Sequence, residues 1–233
     1  MEQPKVIFFD AVGTLFGVRG SVGEIYSAIA LAEAGIELTA DSVDRAFIQS
    51  FKASKPPVFP GVEAAKIPQM EFEWWEEIAR DTFAKVGVFS HFSDFRAFFG
   101  KLYDYFATDR PWYIYSDVIP ALQVWQDKGV ELAIISNFDT RLDRVLELLE
   151  LKQFFRSVTI SSITGSAKPD SQIFLTALAK HNCQSKEVWH IGDSLNEDYL
   201  GAQAVGIKPF LLDRSNCLPI GAENRLHNLI ELR

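Results

Sequence analysis

Asp10 closes the run Val6-Ile7-Phe8-Phe9, and four apolar residues ahead of one carboxylate read as a buried strand with a reactive group at its end. Open α/β folds place their ligands at that carboxyl edge, and the chemistry Asp10 could perform there is nucleophilic. Gly13 lets the backbone turn tightly beside it, and Thr14 brings a hydroxyl within reach of whatever Asp10 touches. The structural alternative is an Asx-type turn that merely ends the strand. Three later clusters could complete a site. Ser136-Asn137-Phe138-Asp139 follows another apolar run and offers a hydroxyl and backbone N–H groups suited to an anion, or else a simple helix cap. Lys168, in Ala167-Lys168-Pro169-Asp170, is held extended by the proline ahead of a helix, so its ammonium can reach across the sheet edge; a surface turn is the alternative. Asp193, after His190-Ile191-Gly192, and Asp198, in the first turn of a helix, add two carboxylates, and hard oxygen donors grouped this way suit Mg²⁺.

The elements that must position these residues alternate in a regular way. Strand signals at Val6–Phe9, Val130–Ser136, Ser157–Ser161, Glu187–Ile191 and Ile207–Leu212 are separated by helices expected after Ser116, from Thr140 to Leu151, after Asp170 and from Asn196. Such alternation predicts an α/β fold with a doubly wound, parallel, Rossmann-like sheet. The residues between the first strand and the rest carry helix signals instead. Ser21 with Glu24 forms a capping box for a helix ending at Gly35, and Thr39 can cap a second helix with Val43, Phe47, Ile48 and Phe51 on its apolar face. After the stiff loop Lys55-Pro56-Pro57-Val58-Phe59-Pro60-Gly61, helical spacing returns over Phe72–Val86 and Phe92–Phe106. The expected division is a core of residues 1–16 and 110–233 with an inserted helical domain of residues 17–109.

Composition bounds the function. A chain of 233 residues with 19 Phe and 5 Trp can bury a sizeable core, and a formal charge of -8 argues against partners such as nucleic acid or an anionic membrane surface. Without a targeting or membrane-spanning run, a cytoplasmic location is expected. Cys183 and Cys217 lack metal-type spacing and read as reduced thiols.

The four clusters, taken in order, resemble the four motifs of the haloacid dehalogenase (HAD) superfamily. Phe9-Asp10-Ala11-Val12-Gly13-Thr14-Leu15-Phe16 is similar to the first, Ser136 matches the second, Lys168 the third, and Gly192-Asp193-Ser194 through Asp198 and Gly201-Ala202 the phosphatase form of the fourth. The helical insertion is similar to the C1 cap of subfamily I. Ser136-Asn137-Phe138-Asp139 resembles in particular the branch of rhythmically expressed gene 2-like hydrolases. The resemblance implies a phosphatase acting on a small phosphorylated metabolite. In it, Asp10 is the nucleophile, Thr14, Ser136 and Lys168 hold phosphoryl oxygens with Asn137 also at the substrate, Asp10, Asp193 and the carbonyl of Val12 bind Mg²⁺, and Asp198 orients the metal shell.

One position departs from that pattern. Family phosphatases carry a second aspartate two residues after the nucleophile as general acid and base, and this chain has Val12. Loss of such a group costs about 10²- to 10⁴-fold. Hydrolytic 2-haloacid dehalogenases also lack it, which makes them the alternative, although their fourth motif is of a Ser-Ser-Asn type and they need no metal. A third reading is a weakly catalytic relative that binds a phosphometabolite or a protein.

Overall fold

Strand β1, Val6–Phe9, is buried along its whole length because it lies in the middle of a sheet covered on both faces. A computed structural model describes residues 3–217 and 222–232. The chain divides into two units, one of Met1–Gly17, Val58–Val62 and Ile114–Arg233, the other of Val18–Pro57 and Glu63–Tyr113.

The first unit holds a six-stranded sheet. Its strands are β1, β4 (Glu131–Ser136), β5 (Ser157–Ile160), β6 (Val188–Gly192), β7 (Lys208–Leu212) and β8 (Arg225–Leu226), in the order β5-β4-β1-β6-β7-β8. Every pair in this sheet is parallel, so all strand carboxyl ends lie at one edge. Phe9 stands level with Ile134 of β4 and Ile191 of β6, which sets Asp10 beside the ends of both neighbours. On one face Val6, Phe8, Ala133, Ile135 and Val188 pack against Ile173, Phe174 and Ala177 of the helix Ser171–His181, making a continuous apolar layer. The two-residue strand β8 carries no periodicity of its own and is not legible in the sequence.

The other unit is helical: α1 (Val22–Ala34), α2 (Ala40–Ala53), α3 (Ile67–Lys85) and α4 (Phe95–Tyr105). The Ser21 hydroxyl accepts from the Glu24 N–H at 3.1 Å, and Gly35 ends α1 in the left-handed region. Phe83 lies at the centre of the core, fully buried and surrounded by the rings of Tyr26, Phe92, Phe95 and Phe98. The apolar stripe of α2 differs from the expected one: Val43 and Ala46 are buried, while Ile48 and Phe51 are 49% and 43% exposed.

Further differences are local. Two short strands, β2 (Phe16–Val18) and β3 (Trp112–Ile114), pair as a two-stranded sheet where only helix signals and a loop are expected. The proline-rich segment Val58–Val62 groups with the sheet unit, where Pro60 lies against Gly165 so closely that a Cβ on that glycine would stand 3.2 Å from the Pro60 Cα. Asp117, not Ser116, precedes α5 (Val118–Asp127), and it makes no side-chain cap, its carboxylate being taken up by other partners described below. Among the described residues no helix is long and apolar enough to cross a membrane.

Candidate active site

Parallel register alone brings the loops after β1, β4 and β6 to one edge, and a lysine from a fourth loop closes the cluster. The Lys168 ammonium lies 2.6 Å from Asp10 Oδ1 and 2.6 Å from Asp198 Oδ1, with its side chain only 1% exposed. Asp198 is saturated. Its Oδ1 also accepts from His190 Nε2 at 2.9 Å, and its Oδ2 accepts from the Ser194 N–H at 3.0 Å. His190, expected to be a satisfied core histidine, is engaged through Nε2 alone; its buried Nδ1 has no hydrogen-bond partner among the described residues. The cap of the following turn, Leu195–Leu200, is Ser194 rather than Asn196, its hydroxyl accepting from the Glu197 N–H.

Asp193 completes the group. Asp10, Asp193 and Asp198 each offer a carboxylate oxygen within 4.8 Å of the others. Two glycines make the approach possible. A Cβ on Gly13, which has φ +91°, would stand 2.4 Å from Asp193 Oδ2, and one on Gly192 would stand 2.1 Å from Asp198 Cγ. The close approach of Gly13 puts the main chain after Val12 directly against the Asp193 carboxylate.

Three carboxylates facing one ammonium leave an excess of negative charge, and the ionisation equilibria register it. Burial pushes the Asp10 carboxyl up and the Asp198 charge adds to that, although Lys168 opposes both. Asp193 is pushed up to about 7, first by desolvation and then by the charges of Asp10 and Asp198; it nevertheless keeps an accessible surface, where solvent screens it. Burial would raise Asp198 too, but the Lys168 charge and the His190 hydrogen bond outweigh it and hold that carboxyl well below the usual range. Burial works against the Lys168 charge, yet Asp10 and Asp198 hold the ammonium firmly protonated.

This donor set fits a small divalent cation. All candidate ligands are hard oxygens, the excess charge is negative, and with Asp198 occupied by three donors, Asp10 and Asp193 are the carboxylates left to bind one.

The remaining expected residues fall as follows. Ser136 ends β4 and is 3% exposed. Thr14 is fully buried, with Oγ1 lacking a hydrogen-bond partner among the described residues. Asn137, expected at the substrate, has its amide engaged elsewhere: Nδ2 donates to the Lys168 carbonyl at 2.9 Å and to Glu197 Oε2 at 3.0 Å, and Oδ1 accepts from the Lys168 N–H at 2.8 Å. Sequence reasoning missed that role, and it missed Glu197, whose carboxyl is pushed up by burial. The polar run after the strand was the available signal. It also took no notice of Arg214, which binds the Thr14 carbonyl. Nothing in the local sequence marks that residue.

Comparison with known proteins agrees with this geometry. A family model described as haloacid dehalogenase-like hydrolase matches residues 4–206. The chain is 33% identical over 213 residues to haloacid dehalogenase-like hydrolase domain-containing protein 3 of Bos taurus, covering 90% of this chain and 82% of that one. It is 29% identical over 217 residues to the Rhythmically expressed gene 2 protein of Drosophila melanogaster, covering 88% and 82%. The fold is shared with a HAD phosphatase from Thermococcus onnurineus at a TM-score of 0.64 and 21% identity, over 98% of this chain and 96% of that one. With four motif loops meeting at one sheet edge and this match along most of its length, the chain belongs to the haloacid dehalogenase-like hydrolases, in the branch of the Rhythmically expressed gene 2 protein.

Proposed function

We propose that this hydrolase is a Mg²⁺-dependent phosphatase of small phosphorylated metabolites, with Asp10 as the nucleophile. The observation that carries the reading is Lys168 set 2.6 Å from both Asp10 and Asp198 while Asp193 shares the same cluster of oxygens. A third carboxylate beside the nucleophile suits a cation and a phosphoryl group; displacement of halide from a carboxylic acid has no use for it.

An oxygen of Asp10 attacks phosphorus, the bond from phosphorus to the leaving oxygen breaks, and an aspartyl-phosphate forms; water then attacks that phosphorus and frees phosphate and Asp10. Lys168 restrains Asp10 and neutralises charge on the phosphoryl oxygens, joined there by Ser136, the N–H groups after it and Thr14. Asp10, Asp193 and the Val12 carbonyl would hold Mg²⁺, with Asp198 setting the surroundings of that group. When bound, the ion supplies Lewis-acid neutralisation of the developing phosphoryl charge.

Val12 cannot move a proton, so the leaving alcohol takes its proton from elsewhere and good leaving groups are favoured. The test is phosphate release from p-nitrophenyl phosphate and from glycerol phosphate, with and without Mg²⁺. Faster Mg²⁺-dependent release from the aryl ester, lost in Asp10→Asn, supports the reading; equal rates on the two esters remove the argument from Val12. Val12→Asp is expected to raise turnover on the alkyl ester. Metal-independent chloride release from 2-chloropropionate would establish the dehalogenase instead.

A further inference from the structure

A half-buried guanidinium stands behind the Asp10 loop, outside every motif. Arg214 follows β7, and its Nη2 donates to the Thr14 carbonyl at 2.7 Å across 200 residues of chain. Its Nη1 donates to both oxygens of Asp117, at 2.9 and 3.0 Å, and its Cζ lies over the Tyr115 ring, 3.9 Å from the centroid. The two charged side chains are 18% and 10% exposed. Asp117 Oδ2 also accepts the Leu229 N–H at 2.7 Å, so its carboxylate is itself anchored.

The carbonyl that Arg214 holds belongs to the loop that turns Asp10 toward Asp193. Thr14 and Leu15 N–H groups both donate back to the Ala11 carbonyl, at 3.3 and 2.8 Å, which makes residues 11–15 one tight turn. Fixing one carbonyl of so small a turn fixes its neighbours, including Gly13, which has no room to shift toward Asp193. Only a planar fork can serve a carboxylate and a carbonyl together while stacked on a ring; a lysine in its place offers one point charge. From this geometry we infer that Arg214 is a positioning residue for the Asp10 loop. Tying the carboxyl-terminal segment to the sheet unit is the competing role. The catalytic consequence rests on the phosphatase reading above, whereas the positioning itself does not.

The experiment uses the full chain with Arg214→Ala and Arg214→Lys. Hydrogen exchange of the peptide spanning residues 10–16 reads positioning without reference to activity. It is expected to accelerate at least tenfold in Arg214→Ala, while the peptide spanning residues 131–136 keeps its wild-type rate. With p-nitrophenyl phosphate and Mg²⁺, kcat is expected to fall about 10- to 100-fold with KM within about twofold, the scale of a misplaced reacting group. Methylguanidinium should restore part of the kcat of Arg214→Ala, and Arg214→Lys should not. Unchanged exchange over residues 10–16, or equal acceleration over residues 131–136, would overturn the inference. A wild-type protein without Mg²⁺-dependent phosphatase activity would instead tell against the proposed function, and hydrogen exchange would still decide the role of Arg214.

Discussion

Asn137 and Lys168, 31 residues apart, hold each other through a closed pair of hydrogen bonds, the amide of one meeting both the N–H and the carbonyl of the other at 2.8 and 2.9 Å. The lysine main chain is thereby fixed relative to β4, and its ammonium can span Asp10 and Asp198 only from that position. Asn137→Ala leaves the Lys168 backbone groups unpartnered and is expected to cost about 1–3 kcal/mol. Asn137→Asp keeps an acceptor for the N–H but turns a carboxylate toward the Lys168 carbonyl and Glu197, so it should be the worse of the two at neutral pH. Urea denaturation of both variants checks the order; Asn137→Asp as stable as wild type would contradict it.

Lys168 is the counter-charge of the cluster. Lys168→Met removes it from between Asp10 and Asp198 and leaves buried carboxylates facing one another, a loss of about 3–5 kcal/mol by the general behaviour of broken buried pairs. Millimolar Mg²⁺ should recover part of that stability without restoring activity. A denaturation midpoint within experimental error of wild type in the absence of metal would rule this account out.

The raised carboxyl of Asp193 gives the metal-free protein a pH dependence of definite sign. Between the ordinary aspartate value of 3.8 and about 7, the folded state binds more protons at this site than the unfolded chain, so stability declines as pH rises through that window. Asp10, also raised, acts in the same direction, whereas the depressed Asp198 loses its contribution only at pH below the ordinary carboxylate range. Solvent access at Asp193 keeps the slope shallow. In EDTA, thermal midpoints should fall from pH 5 to pH 7.5; Mg²⁺ should flatten the curve, and Asp193→Asn should reduce both the slope and the response to Mg²⁺. A rising metal-free curve over that range that is the same in Asp193→Asn would refute the assignment.

Gly192→Ala tests how tightly the carboxylates are packed. The new methyl would stand 2.1 Å from Asp198 Cγ, so Asp198 must move and with it the anchor of Lys168. The expected loss is about 1–3 kcal/mol, as for overpacking elsewhere, with activity reduced beyond what the lost stability explains. Gly201→Ala serves as a comparison, its nearest contact being a Phe174 ring carbon at 3.0 Å. If Gly192→Ala is the milder of the two, the close approach at Asp198 is not what constrains residue 192.

From the sequence alone came the chemical inventory and its order along the chain: carboxylates at 10, 193 and 198, a hydroxyl at 136, an ammonium at 168, each next to a strand end or helix start. Local patterns carry that much because burial on both faces makes a strand uniformly apolar, and because caps and turns need particular residues within a few positions. The convergence itself also follows once the strands are taken as parallel, since parallel strands share one carboxyl edge. Tertiary structure alone decided which atoms meet. That Asn137 serves Lys168, that His190 and Ser194 saturate Asp198, and that Arg214 reaches the Thr14 carbonyl are contacts between residues 4 to 200 positions apart. So too with β8 and the β2–β3 pair, whose few residues are ordered by neighbours distant in the chain. The Asn137–Lys168 and Arg214–Thr14 hydrogen bonds leave no periodicity behind, because each depends on where two loops are carried by separate strands rather than on the residues beside either partner.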